Sequence, residues 1–569
     1  MITITLDFET YYDVHFSLTK LTTPEYVNHS DFKVWGVGIK VENQETVWLQ
    51  PDEIEAEFAT YDWEDVALVC QNTPFDAYIL SQVYGISNVG YYYDTAAMSR
   101  GLYPSQSASL SALAERLWPN DVSMRKGLEL VNAKGVRDLD PELDAEIGGY
   151  CIQDCELTYA AWQKMCINYP KNELDLIDLT TRMYVEPKLV LDPEVCIAHR
   201  DNHKKAGDDA VRNSGVDRDI LSSNPKFAQY IEEELEIVVP TKKSPRTGKM
   251  IPALGKADSG YIQMCTMYPE HKHIWAGRTA VKSRIEETRA DRFLQAINKD
   301  GSFSAPLKYY AAHTGRFGGT EKVNLQNLPR NSALRRAIQA PAGELLYVCD
   351  LANIEARMLA WLANEPYLLQ TFAAGGDVYS EFASEVYGKK VTKDDKIQRF
   401  VGKTCILGLG YGMGHVKFRA TLALGQGGIA VDIDENEAKR IVNLYRQKNH
   451  KIVSLWHSCG HALTGMVSGA SGNICEFLPY DKDGITLPNG LKIKYHALRN
   501  TADGFEYISD ARTFRKLTQK RLLTGEQQKI DWTRIYGGKV TENVVQALAR
   551  IVVAEQMASI GQSYHVAFQ

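Results

Sequence analysis

Two carboxylates stand two residues apart in ITITLDFETYYD, Asp7 and Glu9. Side chains at that spacing share one face of a strand. Like charges held so close repel unless a cation lies between them, and hard oxygen donors suit Mg2+ or Mn2+. Taken alone, the pair reads first as solvated acids at a strand end. Further acids follow: Asp76 in QNTPFDAYIL, and Asp154 one turn beyond Tyr150 in GGYCIQDCELTYAAW. Two metal ions held by such acids can activate a water and neutralise the leaving oxygen of a phosphodiester. A second constellation lies in LLYVCDLANIEARMLAWLANE. Asp350 closes the apolar run Leu345–Cys349, and Glu355 follows inside an apolar segment. An unpaired buried carboxylate is costly, so each needs a partner or a task. A third constellation is RFVGKTCILGLGYGMG, with Arg399, Lys403, Leu407 and Tyr411 at intervals of four. On a helix these form one slanting stripe. Two cations and then an aromatic can hold a triphosphate and press on a base, Lys as a point charge and Arg as a fork. The glycines 408, 410, 412 and 414 follow a helix rather than a strand, which argues against a dinucleotide loop.

The elements that must position these residues are legible in part. Ile2, Ile4 and Leu6 alternate with threonines, which predicts a half-buried strand running into Asp7. VALVC, residues 66–70, predicts a second strand, with Asp76 in the first turn of the helix after it. Tyr150 and Asp154 are neighbours on one helix face. The run from Leu345 predicts a strand ending at Asp350. From about residue 170 the pattern is helical and charged. Lys242, Lys243, Arg246 and Lys249 then cluster around Pro245 and Gly248. They form either a solvated loop or a flexible basic tip that follows a phosphate backbone, positioning without specifying. KYYAAHTGRFGGTEKVNLQNLPR reads by itself as a polar loop, although Asn, Gln and Arg can address acceptors shared by all base pairs in the minor groove. GITLPNGLKIKYHAL predicts a hairpin about Asn489-Gly490. Cys151 and Cys155 suit helix packing, and HSCGH (His457, Cys459, His461) lacks the second half of a zinc site.

The order D-x-E, N-x-x-F-D, Y-x-x-x-D resembles the proofreading 3′–5′ exonucleases of the ribonuclease-H-like fold. All five positions match: Asp7, Glu9, Asp76, Tyr150 and Asp154. The resemblance implies that the four acids hold two metal ions and that the tyrosine orients the attacking water. The stretch around Asp350 resembles motif A of the family A, polymerase I-like DNA polymerases. It implies a Mg2+ ligand at Asp350 and, at Glu355, a steric gate against the sugar 2′-OH. The Arg399–Tyr411 stretch resembles motif B, the nucleotide-binding fingers helix. That family carries Phe or Tyr where this chain has Leu407, a change that bears on sugar discrimination and rate. TGRFGGTEKVNLQNLP resembles the primer–template segment, naming Thr314, Arg316, Asn324, Gln326 and Asn327 as DNA contacts. TENVVQALARIVVAEQM resembles the helix before the last motif, with Gln546 facing the minor groove. The similarity covers nearly the whole chain and is nearest to bacteriophage replicative enzymes.

The implied architecture is α/β and α+β and multidomain: a ribonuclease-H-like domain at 1–165, then a right-hand polymerase. Its connector and thumb fall at 166–300, its first palm part at 301–365, its fingers at 366–470 and its second palm part at 471–569. GQSYHVAFQ alternates as a strand from near Ser563, and in that family such a strand leads into the metal-binding motif C. The expectation is therefore that the sequence stops before motif C. The residues of DIDENEAKR, from Asp432, instead begin a helix. The resemblance further implies Mg2+ or Mn2+, two ions per site; primer–template DNA and dNTPs as ligands; a helicase and a single-strand binding protein as replisome partners; and a monomer.

Composition agrees with a large soluble enzyme. With 569 residues the chain needs two to four domains, and 44% hydrophobic with 24% charged residues is ordinary. A net charge of −7 argues against a simple nucleic-acid coat but leaves room for a local basic cleft. Ten cysteines without a C-x-x-C pair suit a reducing compartment. No run of about 18 apolar residues marks a membrane span, and the N-terminus lacks the basic region of a secretion signal. The expected location is the cytoplasm, of an infected bacterium if the chain is phage-encoded. The rival reading is a 3′–5′ exonuclease whose polymerase half only binds DNA. A non-enzymatic binding protein ranks third, since nothing structural requires separate acid constellations.

Overall fold

The computed structural model describes residues 1–569 except 128, 245–247, 257, 330, 426–427 and 510–531. Alternating apolar residues near the N-terminus build a five-stranded sheet. Its strands are β1 (Ile2–Thr10), β2 (Val34–Val41), β3 (Val47–Leu49), β4 (Val66–Cys70) and β5 (Tyr91–Asp94), in the order β3-β2-β1-β4-β5. β1 runs antiparallel to β2 and parallel to β4. All five residues of β4 are buried, as suits a central parallel strand covered on both faces. Ile4, Leu6 and Phe8 of β1 join Val37, Ile39 and Leu68 in the core. The acids thus lie within β1 rather than after it, and they face glycines: Asp7 is opposite Gly38 and Glu9 opposite Gly36.

That register decides what can approach. A Cβ at Gly38 would stand 2.8 Å from the Cys155 Sγ and 2.9 Å from the Cys151 Sγ. Glycine there lets the Pro141–Cys166 helix lie directly on β1 and β2. Cys151 and Cys155 are packing residues, as their spacing suggested, and both are free thiols. The helix begins cleanly because Asp140 accepts from the N–H groups of Glu142 and Leu143 and Pro141 opens the first turn.

Beyond the sheet the chain is mainly helical. The Pro193–Ser214 helix packs on Lys272–Lys282 and Ile285–Gln295. The basic segment predicted as a loop is a hairpin: Thr241–Lys243 pairs with Met250–Pro252, and the Gly248 N–H closes the turn on the Ser244 carbonyl at 2.9 Å. Helices Ile354–Ala363, Val378–Tyr387, Lys396–Thr404, Glu435–Lys448, His450–Ser468 and Gly537–Gly561 share one large apolar cluster. Asp434 caps the helix that the DIDENEAKR stretch was expected to begin. The Asn489-Gly490 hairpin forms, with Gly484–Thr486 paired to Lys492–Ile493 and Gly490 at φ +85°. Gly537–Gly561 is apolar and long enough to cross a membrane by composition, contrary to the run-length expectation. Val540, Val544, Val545 and Leu548 pack inside the large cluster, so it serves as a core helix.

Two expected strands are absent among the described residues. Residues 345–350 form no ladder, because no described strand pairs with them, and Leu345, Tyr347 and Val348 are 79%, 78% and 74% exposed. Residues 563–569 are also irregular; Val566 and Phe568 pack against an apolar cluster instead of alternating between two faces. Alternation supplies a face to bury, but a strand also needs a neighbour to bond. One buried ion pair joins distant parts of the chain. Glu173 pairs with Arg550 and accepts from the Tyr309 hydroxyl at 2.6 Å and the Asn489 amide at 2.7 Å.

Candidate functional site

The five acid-and-tyrosine positions named from the N-terminal third converge. β1 presents Asp7 and Glu9, and ligand atoms of both lie within 4.8 Å of each other and of the Cys151 Sγ. The Thr73–Gln82 helix brings Asp76, whose Oδ1 accepts from the Phe8 N–H at 3.0 Å. The Pro141–Cys166 helix brings Tyr150 and Asp154 on one face. Glu9, Asp76, Asp154 and Tyr150 are buried, and Asp7 is half-buried.

Burial and mutual repulsion show in the electrostatics. Desolvation pushes the Asp7 carboxyl up to about 6, against the opposing charge of Lys126. Glu9 and Asp76 are held well above the ordinary carboxylate range, by burial first and then by Asp7. Burial, then Glu9 and Asp7, raises the Tyr150 phenol, so its hydroxyl stays protonated near neutral pH. Asp154 leaves its buried Oδ1 without a hydrogen-bond partner. An orphaned oxygen and three more carboxylates fit a hard divalent cation.

Two neighbours were missed from sequence. Cys151 donates to the Asp7 carbonyl oxygen at 3.1 Å, a role hidden behind its packing. Lys126 sits with its ammonium on Asp154 and 4.5 Å from the centre of the Tyr150 ring. A lone lysine in a stretch without periodicity gives no sequence signal.

The second constellation is assembled less completely. Arg316 Nη1 lies 3.8 Å from Glu355 Oε1. Burial raises the Glu355 carboxyl, Arg316 opposes this, and Glu542 adds to it. Tyr411 is half-buried within reach of Glu355 and Glu542, and its carbonyl accepts from the Tyr536 hydroxyl at 3.5 Å. Gln546 donates to Glu542 at 3.3 Å. Glu542 was missed, although its place one turn before Gln546 is a usable signal. Asp350 is exposed and belongs to neither group of three potential metal ligands among the described residues. The other such group, His199, His203 and Glu286, joins two packed helices, and Glu286 also holds Arg289 at 2.8 Å.

The predicted helical stripe changes form midway. The α-helix ends at Thr404, a π turn spans Cys405–Leu409, and Tyr411 lies beyond it. Glycine-rich sequence holds an α-helix poorly, and such wide turns recur at functional sites. Gly402 is needed where it stands, since a Cβ there would meet the Tyr379 carbonyl oxygen at 2.1 Å. Arg399 grips Asp377 with two bonds, of 2.6 and 3.2 Å, and its guanidinium lies over Tyr379. Burial alone would raise Asp377, but the Arg399 and Ser380 hydrogen bonds hold it below its usual range. Lys403 is half-buried and Leu407 is exposed.

Of the proposed DNA contacts, Asn324, Gln326, Asn327 and Arg316 are exposed, whereas Thr314 is buried with an unbonded hydroxyl. Lys243 and Lys249 are exposed on the hairpin, Lys242 pairs with Asp258 at 2.6 Å, and Arg246 lies outside the described residues. His457 and His461 form no metal group among the described residues, and Cys459 is buried beneath the Thr541 hydroxyl at 3.3 Å.

Residues 200–464, which contain Arg316, Asp350, Glu355, Arg399 and Lys403, match the family described as DNA polymerase family A. That match marks similarity to the family over this segment. The chain is 26% identical over 320 residues to a DNA polymerase of Bacillus phage SP02, covering 48% of this chain and 47% of that protein. It is 26% identical over 369 residues to DNA polymerase I of Synechocystis sp., covering 62% and 36% respectively. A thermostable DNA polymerase I of Thermus aquaticus is 30% identical over 175 residues, covering 30% and 20%. The chain therefore spans less than half the length of these curated relatives. Among solved structures, the POL domain of Pol1 from M. smegmatis, in complex with DNA primer-template and dNTP, superposes with a TM-score of 0.59. It is 16% identical, covering 100% of this chain and 88% of that one, which marks a shared fold. The matched segment thus includes the Asp350–Glu355 and Arg399–Tyr411 stretches, while the N-terminal acid cluster lies outside it.

Proposed function

We propose that the chain extends a DNA primer on a template by nucleotidyl transfer from dNTPs, and that residues 1–165 remove mismatched ends in the 3′–5′ direction. The observation that carries the polymerase reading is the family A match over residues 200–464, which spans Arg316, Glu355, Arg399 and Lys403. The exonuclease reading rests on the convergence of Asp7, Glu9, Asp76, Tyr150 and Asp154 on one sheet. Those four acids would hold divalent ions, which when bound supply Lewis acidity at the phosphodiester and make a bound water more acidic. Tyr150, kept protonated, can orient a water by hydrogen bonding rather than by taking its proton. In the polymerase region, Arg399 and Lys403 would receive the triphosphate and Glu355 would crowd a ribose 2′-OH. To do so, Arg399 must exchange Asp377 for phosphate. The ligand classes follow the M. smegmatis Pol1 complex, with its primer-template and dNTP. We place this monomer in the cytoplasm, with Mg2+ or Mn2+ as its ions and replisome proteins as partners to test.

One observation favours the rival reading, an exonuclease whose polymerase half only binds DNA: Asp350 is exposed and grouped with no other potential ligands among the described residues. Primer extension in Mg2+ with all four dNTPs separates the two. Template-dependent elongation supports the proposal. Primer–template binding with 3′–5′ degradation but no elongation selects the rival.

A further inference from the structure

The acid cluster has a positive charge beside it before any metal ion arrives. Lys126 supplies it. Its ammonium forms an ion pair with Asp154 and stands over the Tyr150 ring. Asp7 and Glu9 both feel its charge. The Asp154 side chain is only 4% exposed and the Lys126 side chain 26%, so solvent screens this pair weakly. The lysine is held in place by its flanks. Arg125 Nη1 and Nη2 donate to the carbonyl oxygens of Trp118 and Pro119, each at 2.8 Å. Gln153, beside Asp154 on the helix, donates to the Ser123 carbonyl at 3.1 Å. The backbone just before Lys126 is thus tied both to the Trp118–Pro119 turn and to the helix that carries Asp154.

We infer that Lys126 is an internal counter-ion of the acid cluster, its ammonium standing where a divalent ion bound to Asp154 would sit, so that metal binding there displaces it. The inference rests on reading Asp7, Glu9, Asp76 and Asp154 as metal ligands. Its physical basis is geometric: the ammonium meets one oxygen of Asp154 and leaves the buried Oδ1 without a partner, so the site still favours a divalent ion, but an ion bound at Asp154 must first break a charge-assisted bond. Lysine suits the task because its compact charge rides on a four-carbon stem and can swing away without moving the backbone. The structure therefore trades metal affinity for a metal-free site that holds its shape. Lys126 is a positioning residue in this account and does no bond chemistry.

The test measures Mn2+ binding to the full chain by the loss of the free-ion electron paramagnetic resonance signal. The D7A/E9A variant is subtracted to remove sites elsewhere. K126M should bind Mn2+ at the cluster roughly tenfold more tightly than wild type, the scale of one lost charged hydrogen bond. In chelator it should melt at a lower temperature than wild type, and Mn2+ should raise its melting temperature by more. K126R keeps the charge and carries the test if K126M does not fold. Its forked guanidinium holds Asp154 more firmly, so Mn2+ should bind several-fold more weakly than to wild type. Unchanged or weaker Mn2+ binding by a folded K126M, or unchanged binding by K126R, overturns the inference. Unchanged Mn2+ binding by D7A/E9A overturns instead the metal-ligand reading beneath it.

Discussion

Three sets of carboxylates in this chain occupy three different environments, and the differences separate their tasks. Asp7, Glu9, Asp76 and Asp154 are drawn together by a strand and two helices, and Asp7 raises the cost of ionising Glu9 and Asp76. Glu173 is as deeply buried, yet every neighbour is a donor: Arg550, Tyr309 and Asn489. Asp350 is exposed on a segment without strand partners among the described residues. Burial with repulsion is an arrangement that folding alone would not favour, and it supports the proposed cation site. Burial with full pairing signals architecture. Exposure makes neither demand, so Asp350 takes its proposed role only from sequence resemblance.

The sharpest way to break this comparison is to remove the repelling pair. Asp7→Ala with Glu9→Ala should reduce 3′–5′ degradation of single-stranded DNA on the order of a thousandfold, the loss expected when several kcal/mol of metal-borne charge stabilisation disappear. Binding of dNTPs should be unaffected, because those acids lie outside the family-matched residues 200–464. Equal loss of both in a folded protein would show that the two sites are not separate.

The architectural carboxylate should respond in stability. Glu173→Ala strands the Arg550 guanidinium, which is buried among Tyr309, Tyr310 and Phe317. The expected cost is about 3–5 kcal/mol, the usual penalty for breaking a buried pair from one side. Urea unfolding followed by circular dichroism reads it, and a loss below about 1 kcal/mol would mean that solvent reaches Arg550.

Local pattern carried much of this far from the structure. The ITITL alternation marked β1, VALVC marked β4, and the i, i+4 spacing of Tyr150 and Asp154 placed both on one helix face. Those signals depend on near neighbours in sequence, where periodicity is direct. The Asp7–Gly38 register, the Lys126–Asp154 pair and the Glu173–Arg550 pair depend on chain segments that meet only after folding, and no residue type announces them. The segment from Leu345 shows the opposite failure. Its apolar run is strand-like, but a strand is a property of two chains of backbone, and no described neighbour pairs with it. The π turn at Cys405–Leu409 was hidden because spacing by four fits an unbroken helix equally well.

Glu355 sharpens the comparison within the family-matched segment, since it is half-buried and opposed by Arg316 at 3.8 Å. It falls between the paired Glu173 and the exposed Asp350. Glu355→Ala should lower the preference for dNTPs over ribonucleotides by roughly 10–200-fold, the range over which a pocket discriminates small steric differences. Single-nucleotide incorporation assays with both sugars give the ratio directly. An unchanged ratio removes Glu355 as the gate.

The smallest expected effect concerns the basic side of the same neighbourhood. His313 is half-buried beside Tyr495, their ring centres 6.5 Å apart. Burial lowers its imidazole below the ordinary 6.5, and the charges of Lys539 and Arg316 lower it further, against a hydrogen bond with Asn543 and the charge of Glu542. A histidine whose folded-state value is depressed favours the fold when neutral. Its contribution is fully present above pH 6.5 and is lost as the pH falls toward the folded value. His313→Phe keeps a ring in place and removes the titration. Wild type should therefore lose stability relative to H313F as the pH drops from 7 to 5, with a slope of at most about 1.4 kcal/mol per pH unit for one proton. Paired urea titrations across that range measure it. A wild type that gains on H313F with acid would place a carboxylate, rather than Lys539 and Arg316, as the neighbour that governs His313.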